Sequence, residues 1–124
     1  MRTHINLLHH PESLPFSDAV LVDDTLYLSG CIGIDPALGI APMDVDHEIT
    51  LLFEHLRAVL AEAGMTLNDL VLVQIFCCNL GLFEHFNKRY REYFQGPLPA
   101  RAFIGSGPLL RQGRFEIVGI ARKN

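Results

Sequence analysis

Residues Leu70 to Cys78 read Leu-Val-Leu-Val-Gln-Ile-Phe-Cys-Cys, and no other stretch constrains the fold as much. The run is short, apolar and rich in β-branched residues. It predicts a central strand buried on both faces, which therefore needs cover on each side. Two amphipathic helices flank it in the chain. Over residues 45–63, Ile49, Leu52, Phe53, Leu56, Val59, Leu60 and Ala63 recur at helical spacing, with Asp44 as N-cap and Gly64 as the stop. Asp46 and Glu48 fall in its first turn, where they complement the helix dipole. Residues 82–95 predict a second helix with Phe83, Phe86, Tyr90 and Phe94 on one side, ended by Gly96-Pro97-Leu98-Pro99.

The remaining elements are strands. Ala19 to Asp23 and Leu26 to Ser29 are separated by a turn at Asp23-Asp24-Thr25, and Gly30 to Pro42 reads as a loop. Two final strands cover about 100–106 and 114–121, and Gly105, Gly107 and Gly113 bracket the loop between them. With a first strand at about residues 3–8, the order is β-β-β-α-β-α-β-β. This predicts one α+β domain over residues 1–124: a mixed six-stranded sheet with two helices packed on one face. The other sheet face stays uncovered by its own chain. Self-association is the economical way to bury it.

Charge narrows the partners. The chain has 14 acidic and 10 basic residues, a net charge of −4. Its basic residues bunch only at Lys88, Arg89 and Arg91, and at Arg111, Arg114, Arg122 and Lys123, which read as solvated faces. Without a long basic stripe, no nucleic acid is expected as a partner. No apolar run approaches the roughly 20 residues of a membrane span. Met1-Arg2-Thr3-His4 leads into no signal-peptide core, so a cytoplasmic location is expected. Cys31, Cys77 and Cys78 match neither a disulfide framework nor a zinc spacing, and read as reduced packing residues. The histidines, including His9-His10, His47, His55 and His85, show no paired metal spacing and read as surface or capping residues.

Chemistry concentrates near the end of the chain. Arg101 stands among apolar strand residues, where an unpaired charge is costly. Its planar fork suits a carboxylate. Three readings are open: an exposed arginine at a strand end, an ion pair with Glu116, or a grip on a small anion. Phe103 alternates onto the face of Arg101. Glu116 shares its strand face with Val118 and Ile120, and a simple hairpin of the last two strands would not set it directly opposite Arg101. Asn87 lies near the apolar face of its helix, where an amide must find partners, in a site or in the core. Ser29, Gly30 and Cys31 follow a strand at a glycine turn, where a ligand can approach the backbone.

These residues carry a resemblance. Pro99-Ala100-Arg101, followed by Glu116-Ile117, resembles the C-terminal signature of the YjgF/RidA family of enamine/imine deaminases, also described as endoribonuclease L-PSP. Leu14-Pro15-Phe16-Ser17-Asp18-Ala19-Val20, Tyr27-Leu28-Ser29-Gly30-Cys31-Ile32, Asp35-Pro36 with Gly39, and Phe86-Asn87-Lys88-Arg89-Tyr90 match further family segments in order and spacing.

The resemblance implies a homotrimer of the chorismate-mutase-like fold, with ligand clefts between subunits. It implies hydrolysis of reactive 2-imino or enamine acids to 2-oxo acids and ammonia, with no metal or organic cofactor. Arg101 would bind the substrate carboxylate and Glu116 would orient water. Phe16, Ser29, Gly30, Cys31, Asn87 and Phe103 would line the substrate. Phe16 stands where many relatives have tyrosine, Cys31 where many have glutamine, and Phe103 where a small residue or cysteine is common, so the pocket is more apolar here. That leaves room for another substrate, such as an aminomuconate-type ring-cleavage intermediate. A non-catalytic binding or chaperone role is the alternative from another class. Retention of both Arg101 and Glu116 favours an enzyme.

Overall fold

The computed structural model describes residues 1–124, and its elements follow the predicted order. The strands are β1 (Arg2–Ile5), β2 (Ala19–Val22), β3 (Thr25–Ile32), β4 (Leu70–Cys77), β5 (Ala100–Gly105) and β6 (Phe115–Arg122). The helices are α1 (Val45–Glu62) and α2 (Phe83–Glu92). The six strands form one mixed sheet in the order β1-β2-β3-β6-β4-β5. The apolar run is interior in the sheet, since β4 lies between β6, antiparallel, and β5, parallel, but it is not buried on both faces: Val71 and Gln74 are exposed.

Local chemistry explains the boundaries. The Asp44 carboxylate accepts from the His47 N–H at 3.1 Å, and Gly64 leaves α1 with a φ of 71°, a left-handed value that glycine adopts without a Cβ penalty. Asp23 and Asp24 link Val22 to Thr25 in a tight turn, and Asp23 has a φ of 53°. The second helix is shorter than residues 82–95: Leu80–Leu82 form a separate 3-10 turn before it, and it ends at Glu92.

The core lies between one sheet face and both helices. Ile49, Leu52, Phe53, Leu56 and Leu60 of α1, with Phe86 of α2, pack on Ile75, Phe115 and Ile117 of the sheet, all within 1 % of complete burial. The opposite face has no helix over it. Tyr27 and Ile104 are exposed there, beside the half-buried Val118 and Ile120.

Three expectations change. β3 does not end at Ser29. It pairs with β6 on both sides of a register shift between Leu28 and Cys31, so Ser29 and Gly30 form a bulge inside a strand, and the loop starts at Gly33. The last two strands are not a hairpin, since β4 separates β5 from β6. Arg114 is not a solvated residue. Glu48 is fully buried, and its carboxylate takes the Arg114 guanidinium at 2.5 Å and the backbone N–H groups of Arg114 and Phe115 at 2.7 and 3.3 Å. Glu48 thus does more than meet a helix dipole: it ties α1 to the start of β6. Gly33 permits the same close approach, because a Cβ there would strike the Glu48 carbonyl oxygen.

Candidate active site

Residues paired across a sheet point to one face, and neighbours along a strand point to opposite faces. Arg101 pairs with Val73, which pairs with Gly119; Val73 is 1 % exposed and belongs to the core under the helices. Arg101 and Phe103 therefore face the helix side. Glu116 pairs with Phe76, and Phe76 with the exposed Ile104. Glu116 therefore faces the open side. The candidate residues fall into two groups on opposite faces.

The first group surrounds Arg101. Its guanidinium forms none of the ion pairs of the fold. Instead it lies over aromatic faces, 4.8 Å from the ring centre of Tyr90, 5.4 Å from Phe103 and 5.9 Å from Phe83. These contacts hold the charge in place by cation–π attraction and leave its hydrogens free for an acceptor. Arg101 lines a cleft of about 200 Å³ with Asn87, Tyr90, Arg91, Leu98 and Pro99. The Asn87 Oδ1 and the Tyr90 hydroxyl are buried and have no hydrogen-bond partner. Such orphans cost about 1–3 kcal/mol each, which a ligand with matching groups would recover. Burial pushes the Tyr90 hydroxyl up to about 12, against the opposing pull of Arg101, so it stays a proton donor at neutral pH.

The second group surrounds Glu116. A Cβ on Gly30 would overlap the Glu116 Oε2, so the carboxylate lies directly on the bare backbone of the β3 bulge. Ser29 is tied down, its hydroxyl donating to the Ser17 carbonyl at 2.6 Å. That bond positions the segment carrying Phe16, which is 48 % exposed. Cys31 does not line this site. It is 2 % exposed, pairs with Ile117 and points into the core. Burial first, then Asp18 and Glu116, push its thiol up to about 12. It is a packing thiol and no nucleophile.

His10 is also no surface residue. Its Nδ1 lies 3.0 Å from the Asp18 carboxylate, and both side chains are nearly buried. Its ring meets Phe16 edge-on at 5.9 Å. His85 is a surface residue as expected, and its Nε2 lies 2.8 Å from Asp46. Tyr90 was legible as an apolar-face residue only. Its position three after Asn87 puts both on one helix face, and a tyrosine there brings a hydroxyl that needs a partner.

A six-stranded mixed sheet with two helices on one face defines a small α+β domain. The chain belongs to the YjgF/RidA family: the family profile described as Endoribonuclease L-PSP matches residues 8–123. A mouse (Mus musculus) 2-iminobutanoate/2-iminopropanoate deaminase is 39 % identical over 108 residues, covering 86 % of this chain and 80 % of the relative. The crystal structure of RidA from an Antarctic Psychrobacter has a TM-score of 0.84 and 29 % identity, with 91 % of this chain and 92 % of that one covered. TdcF of E. coli, solved with serine bound, has a TM-score of 0.89 and 25 % identity, with 98 % and 99 % covered. No helix is long and apolar enough to cross a membrane.

Proposed function

We propose that this protein hydrolyses 2-imino acids, with their enamine tautomers, to 2-oxo acids and ammonia, in a site assembled between copies of the chain. The observation that carries the reading is the cleft of Arg101: a free guanidinium beside the orphaned Asn87 amide and Tyr90 hydroxyl. A substrate carboxylate would lie on Arg101. Water, oriented by Glu116, would add to C2 as the C=N electron pair moves to nitrogen. The resulting carbinolamine collapses to the 2-oxo acid and releases ammonia. An iminium carbon is already electrophilic, so the catalysis asked of the protein is orientation and charge stabilisation. The imine deaminases among its relatives support this chemistry.

Arg101 and Glu116 face opposite sides of one sheet, so the reading requires Glu116 from a second copy. Three copies packed through the open sheet faces would bury Tyr27, Ile104, Val118 and Ile120, and Arg101 lies on the edge strand β5, where Glu116 of a second copy would reach it around the sheet edge. Sedimentation equilibrium tests the assembly, and a mass of three chains is expected. The activity is tested by generating an imine with an amino-acid oxidase, trapping it with semicarbazide, and adding protein well below the substrate concentration. Wild type is expected to divert imine to 2-oxo acid and Arg101→Ala to lose that ability. Turnover retained in Arg101→Ala at the wild-type level would sink the reading.

A further inference from the structure

The cleft of Arg101 carries more positive charge than one carboxylate requires. Arg91, on α2, lines it too, and no carboxylate is among its lining residues. Arg91 is solvent-exposed and takes part in none of the ion pairs of the fold. Its neighbours on the helix surface give no acid: Asn87 and Lys88 precede it by four and three, and Phe94 and Gln95 follow by three and four. Arg89, two residues away, shows the contrast. Its guanidinium donates to Asp46 at 2.9 Å and to Thr50 at 2.9 Å, and lies 3.3 Å from Glu92. Asp46 and Glu92 serve Arg89, and Arg91 is left at the rim of the pocket without an acid.

We propose that Arg91 is a specificity-determining residue and that the preferred ligands of this cleft are small dicarboxylic acids, namely 2-imino diacids and their 2-oxo products. One carboxylate lies on Arg101 and takes the Tyr90 hydroxyl. Asn87 Oδ1 accepts from the N–H at C2 of the imine. The second carboxylate lies at the rim on Arg91, where two guanidinium groups face two anionic groups. Glu116 does not compete for Arg91 within the chain, since it stands on the far face of the sheet. The inference rests on the deaminase reading for its chemistry, but its test needs no turnover.

The test is calorimetric titration with two five-carbon acids, 2-oxoglutarate and 2-oxopentanoate, which differ only in the second carboxylate. Wild type is expected to bind 2-oxoglutarate more tightly, by roughly three- to fivefold, the upper range of a solvent-exposed ion pair. Arg91→Ala should remove the preference and Arg91→Glu should reverse it. Because Arg91 is exposed and unpaired, both variants should fold. Equal affinities in wild type, no binding of either acid, or a preference that survives Arg91→Glu would each overturn the inference. Hydrolysis of the norvaline-derived imine, measured on the same protein, separates the two readings. Turnover without a diacid preference refutes this inference alone. A diacid preference with no turnover of this imine or of the glutamate-derived one refutes the deaminase reading alone.

Discussion

Arg101 and Glu116 stand on opposite faces of one sheet, two strands and three residues apart. Standard sheet spacings put their Cα atoms about 14 Å from one another before the side chains diverge. No rotamer change within one chain brings a guanidinium and a carboxylate together through a sheet. The two halves of the site are nonetheless each well formed, one around an aromatic-clasped arginine and one on a glycine bulge.

Gly30 is the floor under the Glu116 carboxylate. Gly30→Ala should displace that carboxylate, because the new Cβ would occupy the place of its Oε2. The Glu116 side chain is flexible and Gly30 has an ordinary φ, so folding should suffer little. The expected outcome is a fall in kcat of at least tenfold, in line with loss of an oriented catalytic group, with thermal stability near wild type. Melting curves and steady-state kinetics check it. A variant as active as wild type would remove Glu116 from the chemistry.

Glu48 is the most consequential buried charge. Glu48→Ala would leave the Arg114 guanidinium half-buried without its acid, and two backbone N–H groups without an acceptor. Breaking such a pair from one side costs about 3–5 kcal/mol. Denaturant unfolding should show a loss of that order. A change below about 1 kcal/mol, the worth of a surface pair, would contradict the buried reading.

The cysteines should separate by reactivity. Cys78 is exposed, whereas Cys31 is buried with its thiol pushed to about 12. At pH 8 a soluble alkylating reagent should modify Cys78 in native protein and spare Cys31. Peptide mass mapping reads the sites. Fast labelling of Cys31 would place its thiol in solvent. Bound ligand should not change its protection, since it points to the core and not to the cleft.

Much of this was legible in the sequence. Periodicity locates α1 because Ile49 to Leu60 form one continuous apolar stripe, and Asp44 and Gly64 are chemically specific ends. The Leu70–Cys77 run announces a central strand by composition. Strand alternation also puts Phe103 with Arg101, and Glu116 with Val118. Pairing is different, because it depends on which strands meet. Nothing in residues 100–122 says that β4 lies between the last two strands, and it is the register of both strands against β4 that puts Arg101 and Glu116 on separate faces. The bulge at Ser29-Gly30 reads as a turn because a glycine signals either. Glu48 and Arg114 are 66 residues apart. Local pattern therefore places each on a solvated surface, and only the tertiary contact makes them a buried pair. His10 with Asp18 is a similar case at a shorter range.

The most direct test of the shared site is complementation between two inactive variants. Arg101→Ala and Glu116→Gln are made separately, unfolded together at equal amounts, refolded, and assayed for imine hydrolysis. If each site takes Arg101 from one copy and Glu116 from the next around a ring, random mixing leaves about one quarter of the sites with both groups. Activity should then return to about a quarter of wild type, while each variant refolded alone stays inactive. If the mixture assembles as wild type does and stays inactive, the two residues do not meet across an interface.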